Sequence, residues 1–97
     1  MDATEALTAW LATLAKERRA ADRSDLSLFL GFLTRHLGEE PDLDALAALR
    51  PADIRGFLAE RAREGDGNAT RARRLAAVRG LLRHLVRRHG GSTGAIA

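Results

Sequence analysis

Cysteine and tyrosine are absent from this chain, and its aromatic residues amount to one tryptophan and three phenylalanines. Without cysteine there is no disulfide staple and no thiolate zinc site, which fits a reducing, cytoplasmic setting. Without tyrosine the chain cannot supply a tyrosine nucleophile. With so few aromatics the core must come mainly from Leu and Ala, which favours a small helical bundle. No stretch approaches the roughly 20 apolar residues of a membrane span. Met1 to Glu5 is acidic and no long apolar run follows it, so no secretory signal is expected. Acidic residues stop altogether at Asp66.

What is present is charge, unevenly placed. The net charge of +3 hides nine Lys/Arg against thirteen Asp/Glu in residues 1–66, and seven Arg with no acid in residues 67–97. A basic load confined to one segment is the electrostatic footprint of a phosphate-binding surface. The plainer reading is a coding bias that replaces Lys with Arg, and the single lysine, Lys16, agrees with it. Ninety-seven residues make one domain.

The segment Thr70 to His89 organises the chain. At helical period Leu75, Val78, Leu82, Leu85 and Val86 form one apolar stripe, while Arg73, Gly80, His84, Arg87 and Arg88 fall opposite it. Arg79 and Arg83 lie on a flank between the two. Thr70 or Asn68 is the expected N-cap.

Ahead of that segment three more helices are expected. The first runs from about Thr4 to Arg19, with Leu7, Trp10, Leu11 and Leu14 inward and Asp2 or Thr4 as its cap. Trp10 lies in this stripe and reads as a core anchor. The second begins near Ser24 or Asp25 and ends at Leu37, with Gly38 as its stop. Leu26, Leu28, Phe29, Leu30, Phe32, Leu33 and Leu37 surround most of its circumference, which is the pattern of a bundle's central helix. Gly31 within it is expected to permit a close helix crossing, and Arg35 and His36 to be solvated. Glu39 to Leu49 is a connection broken by Pro41, with room for a short helical turn capped by Asp42 or Asp44. Its four acids lack the spacing and glycine of a calcium loop. The third helix starts with Pro51 at its first position and runs to about Arg63. Gly65-Asp66-Gly67-Asn68 is a turn by composition.

No catalytic constellation emerges. His36, His84 and His89 pair with no cysteine, and there is no HExxH or glycine-rich phosphate loop. Ser24, Ser27 and Ser92 have no His/Asp company of the nucleophile type. The chain is expected to be non-enzymatic by itself, with no metal, no cofactor, no small-molecule ligand and no membrane partner.

Four stretches resemble a known family. Leu7-Thr8-Ala9-Trp10-Leu11 leading to Glu17-Arg18-Arg19, then Asp25-Leu26 through Phe29-Leu30-Gly31-Phe32-Leu33, then Leu49-Arg50-Pro51-Ala52-Asp53-Ile54-Arg55-Gly56-Phe57-Leu58, then Thr70 through Leu85 are similar, in order, to the N-terminal core-binding domain of tyrosine recombinases, especially the Xer type. The resemblance covers about residues 5–90. It implies an all-α, four-helix, SAM-like bundle that forms one half of a clamp around duplex DNA. It also implies a separate catalytic domain of the same parent protein, absent here, and other recombinase protomers as partners. Residues 1–90 would be the core-binding domain, and residues 91–97 the start of the interdomain linker. The chain departs from the family between Arg19 and Asp25, where only Ala20-Ala21-Asp22-Arg23-Ser24 stand in place of a segment about two helical turns longer. The family's usual Thr and Tyr of the second helix go with it.

The expected function is therefore DNA binding for site-specific recombination or integration, through the Arg-rich fourth helix. The expected contact residues are Thr70, Arg73, Arg74, Arg79, Gly80, Arg83 and Arg87. Arg73, Arg74 and Arg79 match family positions, whereas Arg83 and Arg87 rest on face geometry and charge. Gly80 would let the DNA backbone approach, and the first turn around Thr70 and Arg71 could hold a phosphate through free N–H groups. The bland alternative for each arginine is a solvated charge or an ion pair with Glu60 or Glu64. The rival class is a helical protein-interaction module without autonomous DNA binding. An RNA-binding bundle is disfavoured by the lack of an exposed aromatic platform.

Overall fold

The computed structural model describes residues 2–90 and Gly94. The expected linker, residues 91–97, lies outside the described residues apart from Gly94. The chain is all-α: α1 spans Ala3–Leu11, α2 Lys16–Leu37, α3 Leu43–Ala47, α4 Pro51–Arg63 and α5 Asn68–His89. Four principal helices thus make the bundle, and the five-residue α3 is the short turn expected within the connection.

Local chemistry accounts for most helix ends. Asp2 caps α1 by accepting the Glu5 N–H at 2.7 Å, and Asp42 caps α3 by accepting the Ala45 N–H at 2.8 Å. The two caps are also paired backbone to backbone in an isolated antiparallel bridge, which ties the start of α1 to α3. Gly38 ends α2 in the left-handed region at φ 84°, which side chains rarely adopt. Pro51 opens α4, and the Arg50 N–H donates to the Asp53 carboxylate at 2.8 Å while the Asp53 N–H returns to the Arg50 carbonyl.

The boundary between the first two helices is not where the sequence places it. α1 stops at Leu11, and α2 is already under way at Lys16, so Lys16 to Arg23 form its first two turns. Asp25 is therefore a mid-helix residue, not a cap. The break is held by tertiary contacts. The Arg19 guanidinium donates to the Leu11 carbonyl at 3.2 Å and the Leu14 carbonyl at 3.1 Å, and the Thr13 hydroxyl donates to the Trp10 carbonyl at 2.7 Å. The bonds to Trp10 and Leu11 satisfy carbonyls that α1 leaves open at its end, and the bond to Leu14 ties down the connection.

The central helix also differs from expectation. α5 packs against all four other helices, while α2 buries one face and leaves Leu28 and Leu30 half-buried and Leu37 exposed. The core gathers Leu7, Leu11, Leu26, Leu33, Leu46, Leu81 and Leu82 around Phe29 and Phe57, whose rings meet edge-on at 5.2 Å. Trp10 lies half-buried at the margin of this core rather than at its centre.

Gly31 makes no close crossing: a methyl group there would meet nothing nearer than the Arg35 guanidinium, 3.6 Å away on the same helix. The close approaches fall at Gly56, beside Phe32, and at Gly80, beside Trp10.

Candidate nucleic-acid interface

On α5 the fully buried residues are Ala77, Val78, Leu81, Leu82 and Leu85, with Leu75 and Val86 half-buried. The apolar arc is thus turned toward Ala77 and Leu81 relative to the stripe read from the sequence. The outward face turns with it and consists of Ala72, Ala76, Arg79, Arg83 and Arg87.

That one rotation relocates two expected contact residues. Gly80 does not lie on a free outward arc. An ideal Cβ at Gly80 would stand 3.2 Å from Trp10 Cζ2, so the glycine gives room to the Trp10 ring of α1. One turn later His84 lies 5.0 Å from the Trp10 ring, centroid to centroid. Its burial lowers its pKa, and the charges of Arg87, Arg88 and His89 push it the same way.

Arg74 is the second relocation. It stands four residues before Val78 and so shares its inward face. Its side chain is only 12% exposed, and it bridges two carboxylates: Nη1 to Asp25 Oδ1 at 2.7 Å and Nε to Asp66 Oδ2 at 2.6 Å. Arg61 of α4 donates to the same Asp66 oxygen at 3.0 Å. Hydrogen bonds from Arg61 and then Arg74 hold the Asp66 carboxyl at a pKa of about 2. Arg73 also donates to Asp25 Oδ1, at 3.1 Å, yet its side chain remains 57% exposed. A chain of alternating charge therefore runs from α4 through the Gly65–Asn68 turn to α5 and into α2. The acids that pair with the arginines are Asp25 and Asp66, not Glu60 and Glu64. Glu60 instead holds Arg35 of α2, with two contacts of 2.9 and 3.0 Å. His36 lies 3.0 Å from Asp53 and stacks on Phe32, so neither Arg35 nor His36 is simply solvated.

Thr70 is half-buried at the third position of α5, and the N-cap is Gly67. No side chain caps this helix and its first turn holds no acid, so its positive end meets no carboxylate of its own. Arg71 donates to the Asn68 side-chain carbonyl.

Arg79, Arg83 and Arg87 are exposed, and among the described residues none of them forms an ion pair. The same holds for Arg88. A second basic row lies on α2, where Lys16, Arg19, Arg23, Ser24 and Ser27 line a shallow open groove. The sequence reading missed this row because it assigned Lys16 and Arg19 to the end of the first helix. Among the described residues no group of His, Cys, Asp and Glu is arranged to hold a metal, and no helix is long and apolar enough to cross a membrane.

Residues 7–89 match the family described as phage integrase, N-terminal SAM-like domain. The chain is 49% identical over 84 residues to the tyrosine recombinase XerC of Rhizobium meliloti, covering 80% of this chain and 26% of that protein. It is 46% identical over 93 residues to the XerC of Mesorhizobium japonicum, covering 90% and 30% respectively. With the XerC of Methylobacterium nodulans it shares 42% identity over 102 residues, covering 99% and 31%. The chain therefore spans less than a third of the length of these curated relatives. No solved structure gives a significant match.

Proposed function

Because the chain belongs to the phage integrase N-terminal SAM-like domain family, we propose that it binds double-stranded DNA as the core-binding part of a site-specific tyrosine recombinase of the Xer or integrase type. In that reading residues 1–90 are the binding domain. A catalytic domain elsewhere in the parent protein supplies the tyrosine that this chain does not contain. DNA and other recombinase protomers are the partners.

The observation that carries the reading is the row Arg79, Arg83 and Arg87, three exposed guanidinium groups without carboxylate partners among the described residues, on the outward face of the helix at the centre of the bundle. Unpaired arginines on a rigid helix match phosphate oxygens in charge and in geometry. Arg73 extends the row toward the start of α5. Lys16 and Arg23 on α2 provide further positive charge, in place of the longer segment found in the family. Thr70 stands beside the uncapped amides of α5, a disposition that suits a phosphate. Arg74 and Gly80 support this surface from behind, one through its two carboxylates and one by seating Trp10.

Fluorescence anisotropy of a labelled duplex tests the proposal. Half a clamp should bind with a Kd on the order of 10⁻⁴ to 10⁻⁶ M at physiological salt, more tightly as salt falls. Replacing Arg79, Arg83 and Arg87 with Ala should flatten the salt dependence and weaken binding at low salt, with the helical circular dichroism unchanged. Wild-type protein that stays unbound at low salt while folded would overturn the reading.

A specific observation favours a second reading, a protein-interaction module. Leu43, Leu46 and Ala47 of α3 and Leu85 and Val86 of α5 line an apolar notch beside His89 and Gly90. Association through it would be insensitive to salt, which separates it from phosphate binding in the same titration.

A further inference from the structure

Asp25 is fully buried in the middle of α2, and nothing in the proposed DNA contact uses it. Its Oδ1 accepts from both Arg73 and Arg74, and its Oδ2 accepts nothing among the described residues. The two arginines differ. Arg74 is enclosed and fixed from its other side by Asp66. Arg73 touches Asp25 through one nitrogen, and more than half of its side chain faces solvent.

A buried ion pair is a poor source of stability, because desolvating the charges offsets their attraction. Replacing the whole network, arginine and carboxylates together, with packed apolar residues would serve the core at least as well. What a carboxylate at position 25 does, and a leucine could not, is fix the direction of a guanidinium. Asp25 and Arg74 form a rigid base, since Asp66 and Arg61 anchor Arg74 from the turn and from α4. On that base Arg73 is held through one nitrogen while more than half of its side chain stays exposed.

We infer that Asp25 is a positioning residue, which presents the Arg73 guanidinium to a DNA phosphate in an orientation fixed before binding. The inference rests on the DNA-binding reading above. A free arginine loses rotamer freedom when it grips a phosphate, and a side chain already held loses less. Asp25 thus works through Arg73 and touches no ligand itself.

Simple electrostatics gives the opposite sign. Asp25→Asn removes a negative charge from beneath a basic surface, so without a positioning role duplex binding should tighten. With one, it should weaken by roughly 3- to 10-fold, the cost of ordering one long side chain. The experiment is anisotropy of a labelled duplex at low salt with wild type, Asp25→Asn, Arg73→Gln and the double variant, each with a circular dichroism melt. The expected result is weaker binding in Asp25→Asn, weaker binding in Arg73→Gln, and no further loss from Asp25→Asn once Arg73 is gone. Equal or tighter binding by Asp25→Asn, or equal losses in both backgrounds, would overturn the inference while leaving the DNA reading intact. No binding by folded wild type would overturn both.

Arg73→Lys keeps the test open should Asp25→Asn fail to fold, because the exposed position tolerates exchange. Lysine preserves the charge but not the forked geometry that Asp25 orients. A positioned guanidinium predicts that Arg73→Lys loses nearly as much affinity as Arg73→Gln. Lysine binding as well as arginine would overturn the inference.

Discussion

A methyl group added at Gly31 meets only the flexible end of Arg35, at 3.6 Å, whereas at Gly80 it would press on the Trp10 ring at 3.2 Å. Gly31→Ala should therefore return the helix propensity that glycine forgoes, about 0.5–1 kcal/mol, and raise the melting temperature by a few degrees. Gly80→Val should lower it, because a branched side chain drives into Trp10 with no room to turn aside. Thermal melts followed by circular dichroism separate the two, and a gain at Gly80 would contradict the packing described. Asp66 makes a different residue-scale prediction. Its carboxyl is held at about 2 in the folded chain, below the unfolded value of about 3.9. A depressed pKa means that the unfolded chain binds the proton first. The stabilisation is therefore complete above about pH 4 and drains away as pH falls toward 2. Asp66→Asn should flatten the acid limb of stability in that window and change little of its slope near neutral pH, which urea unfolding at several pH values would read.

At the scale of elements, the sequence shows where helices exist better than where one yields to the next. Gly38, Pro51 and Asp42 carry their boundaries in their own chemistry, and each lies where the pattern predicts. The turn after α4 is also in place, but α5 begins at Asn68 with Gly67 as its N-cap, earlier than the expected cap at Asn68 or Thr70. The α1–α2 break has no such mark. Leu11 to Arg23 contains no glycine or proline, and the break is held instead by Arg19, folding back on the carbonyls of Leu11 and Leu14, and by the Thr13 hydroxyl on the Trp10 carbonyl. A contact between residues eight apart that requires a bend is invisible to a periodicity count. Lys16→Pro tests the boundary directly. Lys16 is the first residue of α2, and Ala15 before it is extended at φ −59° and ψ 147°, the conformation that a residue preceding proline adopts. The variant should be neutral or slightly stabilising. In a helix continuous from Thr4 to Arg19, the same proline would cost about 3 kcal/mol and would show as a large drop in melting temperature.

For the whole molecule, the decisive fact is that the helix richest in arginine is also the one every other helix packs on. The all-α class and the basic load on α5 were legible because they follow from composition and period, whereas the face it lies on was read turned away from Arg79 and Arg83. The sharing of work among the arginines was not legible, since the seven of residues 67–97 look alike in one dimension. Only packing sorts Arg74 into an enclosed network, Arg73 onto a carboxylate, and Arg79, Arg83 and Arg87 into solvent. The i−4 spacing of Arg74 from Val78 was the one available hint. In the proposed reading the binding surface lies on the hub of the fold, which couples binding to global stability. A ligand on α5 cannot be lost by fraying one edge, because melting α5 removes the packing partner of α1, α2, α3 and α4 together. Duplex DNA at about ten times its Kd should add about 1.4 kcal/mol to folding, raising the melting temperature of a domain this size by several degrees. In the proposed reading the contacts are with phosphate, so the shift should appear in one cooperative transition and vanish as salt is raised. A duplex-induced shift that survives high salt would place the binding on an apolar surface such as the notch between α3 and α5.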